Sequence, residues 1–158
     1  MQTFLPFSDF RKSAEVLDKR RCWKQVVEAS QIIDCLEGKK VGWRNHPAVK
    51  MWDGYENLLK HYYNVFLEYC LTVHKINTKM QYRNCLYSYG YDGKLIITEH
   101  AYNSKPFWFG QEPFHRAMRS RLIEKDPGFY GPKFPNDRGY NNSQYWWPVM
   151  EDQTFRTI

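Results

Sequence analysis

The chain of 158 residues carries a formal net charge of +6, and 18% of it is aromatic, with 12 Tyr, 10 Phe and 6 Trp. That length suits one domain, 1–158, in which rings stand in for scarce aliphatic side chains, and the basic balance favours polyanionic partners, nucleic acid first. No apolar run nears the roughly 18 residues needed to span a bilayer, and residues 1–13 lack the basic-then-apolar order of a signal peptide, so a cytoplasmic protein with no membrane partner is expected.

In chain order, the first periodic segment predicts a helix over about 13–38, closed at Gly38, where a left-handed cap suits glycine. Cys22, Val26, Ala29, Ile33 and Leu36 form its apolar stripe, and Arg21, Lys24, Gln25, Glu28 and Gln31 its more polar face. Asn45-His46-Pro47 announces a second helix running to about 74, with Asn as the cap and Pro in the first turn. Its core stripe is Trp52, Tyr55, Leu59, Tyr62, Phe66 and Tyr69, while Lys50, Asp53, Asn57, Lys60 and Asn64 face water. A weaker helix is expected over 78–86, followed by a Tyr- and Gly-rich loop with a short β hairpin near 91–98. A fourth helix fits 112–125, opened by Pro113 and stopped ahead of Asp126-Pro127. The aromatic density of 126–148 predicts an ordered, packed loop, because disordered segments are poor in rings. The fold class is therefore mainly α, a compact single-domain helical fold with long aromatic-rich loops. Cys22, Cys35, Cys70 and Cys85 have neither CxxC nor Cys/His spacing, so they read as reduced, packed thiols with no metal role.

Two features of the sequence bear on chemistry. Glu28 is either a solvated helix carboxylate paired with Lys24 one turn away, or a catalytic carboxylate held among cations. The basic fourth helix, with Arg116, Arg119, Arg121 and Lys125, is either a plain soluble surface or a track for a phosphate backbone. His46 and His115 sit at helix starts, where a hydrogen-bonding role is favoured over catalysis. GxSxG, Walker, HExxH and dinucleotide-binding glycine motifs are all missing from the sequence, so their reactions lose support.

Several segments go further: Met1-Gln2-Thr3-Phe4-Leu5-Pro6, Asp9-Phe10, Ser13-Ala14, Leu17-Asp18, Lys24-Gln25, Val27-Glu28-Ala29, Gln31-Ile32 and Gly42-Trp43-Arg44-Asn45-His46-Pro47-Ala48-Val49-Lys50-Met51-Trp52. Together with Arg121-Leu122-Ile123-Glu124-Lys125 and Phe129-Tyr130, they make the chain resemble the pyrimidine-dimer DNA glycosylases of the phage endonuclease V type, over about 1–60 and 112–148. The resemblance implies a mostly helical enzyme with no metal or organic cofactor, whose nucleophile is its own α-amine. An α-amine, with an ordinary pKa of about 8, is neutral often enough at pH 7 to attack. In that mechanism the amine adds to the sugar C1′ of a damaged nucleotide, the base leaves, and the resulting imine permits β-elimination of the 3′ phosphate.

The resemblance places the essential carboxylate on Glu28 and the nucleophile on Met1, whose excision the long side chain of Gln2 should hinder, or on Gln2 if Met1 is removed. Duplex DNA would then lie along Arg20, Arg21, Lys24, Gln25, Arg44, Asn45, His46, His115, Arg116, Arg119, Arg121 and Lys125, with Tyr130 and Trp147 supporting a kinked duplex or flipped base. Val26 stands where the family often has Arg, and the aromatic and glycine-rich residues 83–110 do not carry the resemblance. The expected activity is that of an N-glycosylase with associated AP lyase acting on damaged or modified pyrimidines in duplex DNA. The expected setting is a monomer at the nucleoid or in a phage-infected bacterial cell. The alternatives are a glycosylase for a modified base rather than a dimer, and a non-catalytic DNA-binding protein of the same fold, to which Gln2 and Val26 would point.

Overall fold

The structure, a computed structural model, describes residues 1–85, 87–89, 95–97 and 105–157. The first predicted helix is two helices, α1 (Phe10–Val16) and α2 (Lys19–Leu36), because Asp18 takes an extended backbone and caps α2 by accepting the Arg21 amide at 3.0 Å. Asp9 caps α1 in the same way through the Lys12 amide, at 2.9 Å. The Tyr130 hydroxyl donates to the Asp18 carboxylate and accepts from the Asp18 amide at 3.1 Å, tying the distant 126–137 segment to the start of α2. Burial alone would raise the Asp18 carboxyl, but the bonds from Tyr130 and Arg21 outweigh it and hold it below its ordinary range.

The second predicted helix is also divided, into α3 (Pro47–Lys50) and α4 (Glu56–Thr72), by a turn in which Gly54 sits at φ +83°. The cap of α3 is His46, not Asn45: its Nδ1 accepts the Ala48 amide at 3.0 Å. Helix α4 is buried on nearly every side, through Leu58, Leu59, Tyr62, Tyr63, Phe66, Leu67 and Cys70. Asn64, expected to face water, is buried as well. Its amide takes the Arg83 carbonyl and the Arg83 N–H, both at 2.8 Å, while the Tyr63 hydroxyl takes the Gln81 carbonyl at 2.8 Å. These side chains bind the Gln81 carbonyl and both Arg83 backbone groups from outside, and no helix forms over 78–85, contrary to the sequence pattern. The expected hairpin is present as an antiparallel pair, β1 (Tyr87–Tyr89) with β2 (Leu95–Ile97), in register Tyr87↔Ile97; residues 90–94 and 98–104 lie outside the described ones.

Helix α5 (Glu112–Lys125) keeps its predicted bounds, and the aromatic segment after it is ordered, with α6 (Pro127–Tyr130) and a 3₁₀ turn at Tyr140–Ser143. A second antiparallel ribbon, β3 (Trp146–Val149) with β4 (Thr154–Thr157), was not signalled by the sequence. Pro148 is tolerated there because a two-stranded ribbon is all edge. The fold is thus mainly α. Among the described residues no helix is long and apolar enough to cross a membrane. All four cysteines are reduced thiols, and Cys70 donates to the Cys22 sulfur at 3.5 Å across the contact between α2 and α4.

The core also contains an extended strand of chain without a sheet. Residues 2–6 are buried, and their backbone groups are met by side chains from three helices. The Phe4 amide donates to Gln25 Oε1 at 2.7 Å, the Phe4 carbonyl accepts the Tyr62 hydroxyl at 2.9 Å, His115 Nδ1 bonds the Leu5 carbonyl at 2.8 Å, and Arg119 donates to the Pro6 carbonyl at 2.7 Å. Thr3 Oγ1 accepts the Trp52 indole N–H at 3.0 Å. The amino-terminal thread is therefore pinned along its length.

Buried His61 in α4 has its imidazole pushed down to about 4 by burial. Because the folded value lies below the ordinary 6.5, its contribution is complete above pH 6.5 and is lost as pH falls toward 4, a loss on the order of 3 kcal/mol. Thermal melts of His61→Gln and the parent across that window are expected to show the parent losing this increment of stability and the variant lacking it. Parallel acid profiles would contradict the assignment.

Candidate active site

Pinning the thread delivers the first two residues to the polar face of α2. The Gln2 amide donates to Glu28 Oε2 at 3.0 Å, so the carboxylate sits one peptide unit from the Met1 amine. Glu28 is only 9% exposed, and its other oxygen lies 3.7 Å from Lys24 Nζ. Glu28 thus pairs with Lys24 one turn away, as its spacing predicted, but it is nearly buried rather than solvated and also faces the chain terminus. A cavity of about 450 Å³ opens at this point, lined by Met1, Gln2, Phe4, Gln25, Glu28 and Tyr145, with Arg20, Arg21, Lys24 and Lys125 as its cations.

The cations differ in their freedom. Arg21 is committed to Asp18 at 3.0 Å and lies over the Tyr130 ring, whereas Arg20, Lys24 and Lys125 are exposed. Desolvation, then the charges of Arg21, Lys24 and Arg121, lower the Lys125 ammonium from its ordinary value, against a smaller pull from Glu28. A dense positive rim around one carboxylate is suited to holding an anionic backbone while leaving a single negative group at the reacting atom.

The remaining expected site residues divide into two groups. Gln25, His115 and Arg119 are buried and spend polar atoms on the thread, on Tyr62 and Gly110, and on the Asp137 and Glu112 carboxylates, and of the three Gln25 alone also lines the cavity. Tyr130 is likewise fully buried on Asp18 and is no stacking surface. Arg116 is bonded to Asp137 at 2.8 Å, and Arg121 to the Ser143 carbonyl at 3.3 Å with its guanidinium over the Tyr145 ring. Arg44 and Asn45 are exposed, and His46 lies beside the site: burial and the terminal amine lower its imidazole, while Glu28 raises it. Trp147 is largely buried, packed edge-on against His46 and tilted against Tyr145. It also lines a second cavity of about 430 Å³ with Asn45, Lys50 and Arg156. Val26 is wholly inside the core, so an apolar residue there costs the cavity no cation. Tyr145, absent from the expected set, lines the cavity; the only hint in the sequence was its place in an aromatic run.

The family model for pyrimidine dimer DNA glycosylase matches residues 1–84, which include the thread, α1 to α4 and eight of the ten residues that line the cavity. The chain belongs to the pyrimidine dimer DNA glycosylase family. It is accordingly a glycosylase of DNA repair, with DNA as its substrate. No curated protein and no solved structure matches it. In this glycosylase the match ends before α5, so Lys125 and Tyr145 reach the cavity from a part of the chain that the family model does not cover.

Reversing two of the three exposed rim charges, Lys24→Glu with Lys125→Glu, is expected to weaken binding to all duplexes alike and to flatten the slope of log affinity against log salt by about one unit for each phosphate no longer neutralised. Equilibrium binding between low and moderate salt measures this, and an unchanged slope would take the rim out of the interface.

Proposed function

We propose that this glycosylase excises a damaged or modified pyrimidine from duplex DNA and then cleaves the strand as an AP lyase. Its nucleophile is the α-amine of Met1, or of Gln2 if Met1 is excised. The carrying observation is the 3.0 Å hydrogen bond from the Gln2 amide to Glu28, which holds a nearly buried carboxylate against the terminus at the floor of a cationic cavity.

The neutral amine attacks C1′ and the glycosidic bond breaks, its electron pair leaving with the base. Glu28 takes the proton that the amine sheds and steadies the positive charge that grows on the sugar. Ring opening with a proton delivered to O4′ yields the imine, whose electron sink acidifies the C2′ hydrogen. Loss of that proton expels the 3′ phosphate. Arg20, Lys24 and Lys125 bind the flanking phosphates, and Tyr145 and Phe4 supply the apolar wall.

Incision assays on a panel of duplexes, each with one dimer, abasic site or modified base, test this reading. Cleavage of the abasic duplex with borohydride-trappable adduct is the expected result, and the base-containing member that is cleaved names the lesion. Tight binding with neither incision nor trapping would leave a DNA-binding protein that has lost the reaction.

A further inference from the structure

Residues 37–45, between α2 and α3, are exposed without interruption, and Val41 and Trp43 in this loop are 79% and 53% exposed. Single apolar side chains on a surface are ordinary. Here two of them stand two residues apart in a loop that also carries Lys39, Lys40 and Arg44, with no acid between 38 and 45. Lys39 is engaged by Glu37 at 2.7 Å, whose carboxyl the Lys39 and Lys60 ammoniums hold at about 2. Lys40 and Arg44 have no acidic partner among the described residues.

The Trp43 indole is held in place. The His46 amide donates to the Trp43 carbonyl at 2.9 Å, and the indole meets the His46 ring edge-on with centroids 5.7 Å apart. From there ring contacts continue without a gap into the cavity: His46 to Trp147 at 5.8 Å, Trp147 to Tyr145 at 5.3 Å, and Tyr145 to Phe4 at 6.1 Å. The exposed indole is thus the outer end of an aromatic row whose inner end walls the candidate active site.

A sugar inside a stacked duplex cannot reach an amine at the floor of a cavity. The nucleotide must be extruded, and an apolar wedge flanked by cations that hold the adjacent phosphates is the device that fills the vacated step. We propose that Trp43, backed by Val41, is that wedge: it enters the base stack of duplex DNA while the extruded nucleotide occupies the cavity beside Glu28. The inference rests on the glycosylase reading above. The cations that share its loop and the row of ring contacts from the indole to the cavity favour DNA over an apolar protein surface as its partner.

The test uses the intact protein, Trp43→Ala and Trp43→Phe, with a duplex carrying one abasic site beside 2-aminopurine and with the same strand unpaired. The parent is expected to raise 2-aminopurine fluorescence on binding the duplex. Trp43→Ala should lose that rise and cut the duplex about 100-fold more slowly, with a far smaller loss on the single strand, which has no stack to open. Trp43→Phe should recover much of both signals. An equal loss on duplex and single strand would place Trp43 in the chemistry or the fold and overturn the wedge, and so would unchanged duplex incision, which would return the loop to a protein-docking surface. If the parent itself neither cuts nor traps either substrate, the catalytic reading fails, while the fluorescence comparison still decides whether Trp43 enters the stack.

Discussion

Acetylating the amino terminus, or extending it with an uncleaved tag, is expected to abolish borohydride trapping on abasic DNA, a loss on the order of 10³-fold or more, although every side chain is retained. Trapping requires an imine, and an acylated nitrogen cannot form one. The thread from Gln2 to Pro6 is pinned by Gln25, Tyr62, His115 and Arg119 whether or not the terminus is blocked, so the melting temperature should change little. Peptide mapping of the adduct from the unblocked protein should place it on the terminal residue. Lysines offer the competing route, and among the described residues Lys125 is the one whose ammonium is lowered by burial and neighbouring cations. An adduct on Lys24 or Lys125, or full activity with a blocked terminus, would refute the amine assignment.

Glu28→Gln should lower base release by two to four orders of magnitude while the protein still folds and binds DNA. The substituted amide keeps an oxygen able to accept the Gln2 N–H, so the thread stays seated, and the forfeited pairing with exposed Lys24 is worth little at the surface. The charge that could take a proton or offset a growing cation is gone. Affinity should hold or rise slightly, because the one acid in a ring of Arg20, Arg21, Lys24 and Lys125 has been removed. Single-turnover excision with parallel binding curves separates the effects. Near-normal excision would mean that Glu28 is the wrong carboxylate.

What the sequence made legible was set by local chemistry. Pro113 and the Asp126-Pro127 pair bounded α5 because proline constrains its own backbone and that of the residue before it. Periodicity found the stripes of α2 and α4 but not the breaks between elements. Asp18 sits where a helix can run on or restart, and only the Tyr130 hydroxyl, 112 positions away, shows why it restarts. The 78–85 segment has helical spacing but its backbone is engaged by Asn64 and Tyr63 instead of by itself, a long-range competition that no local pattern carries. The site shows the same division. Glu28 and the cations of α2 were visible as a carboxylate among bases. Gln25, His115 and Arg119 looked like surface groups because nothing local reveals that an unpaired strand of chain lies across them. Trp43 passed as one word in a motif, since only its exposure marks it off from the five other tryptophans.

On the proposed mechanism, the buried thread makes a reactive terminus conditional on completed folding. On a nascent or partly unfolded chain the α-amine is an ordinary solvated group with no carboxylate beside it and no cationic bowl around it. It acquires both only when α2, α4 and α5 close on residues 2–6, and α5 is the last of the three to be synthesised. On that mechanism, strand cutting would depend on the packing of the core, and damage that loosens the core would also disarm the terminus.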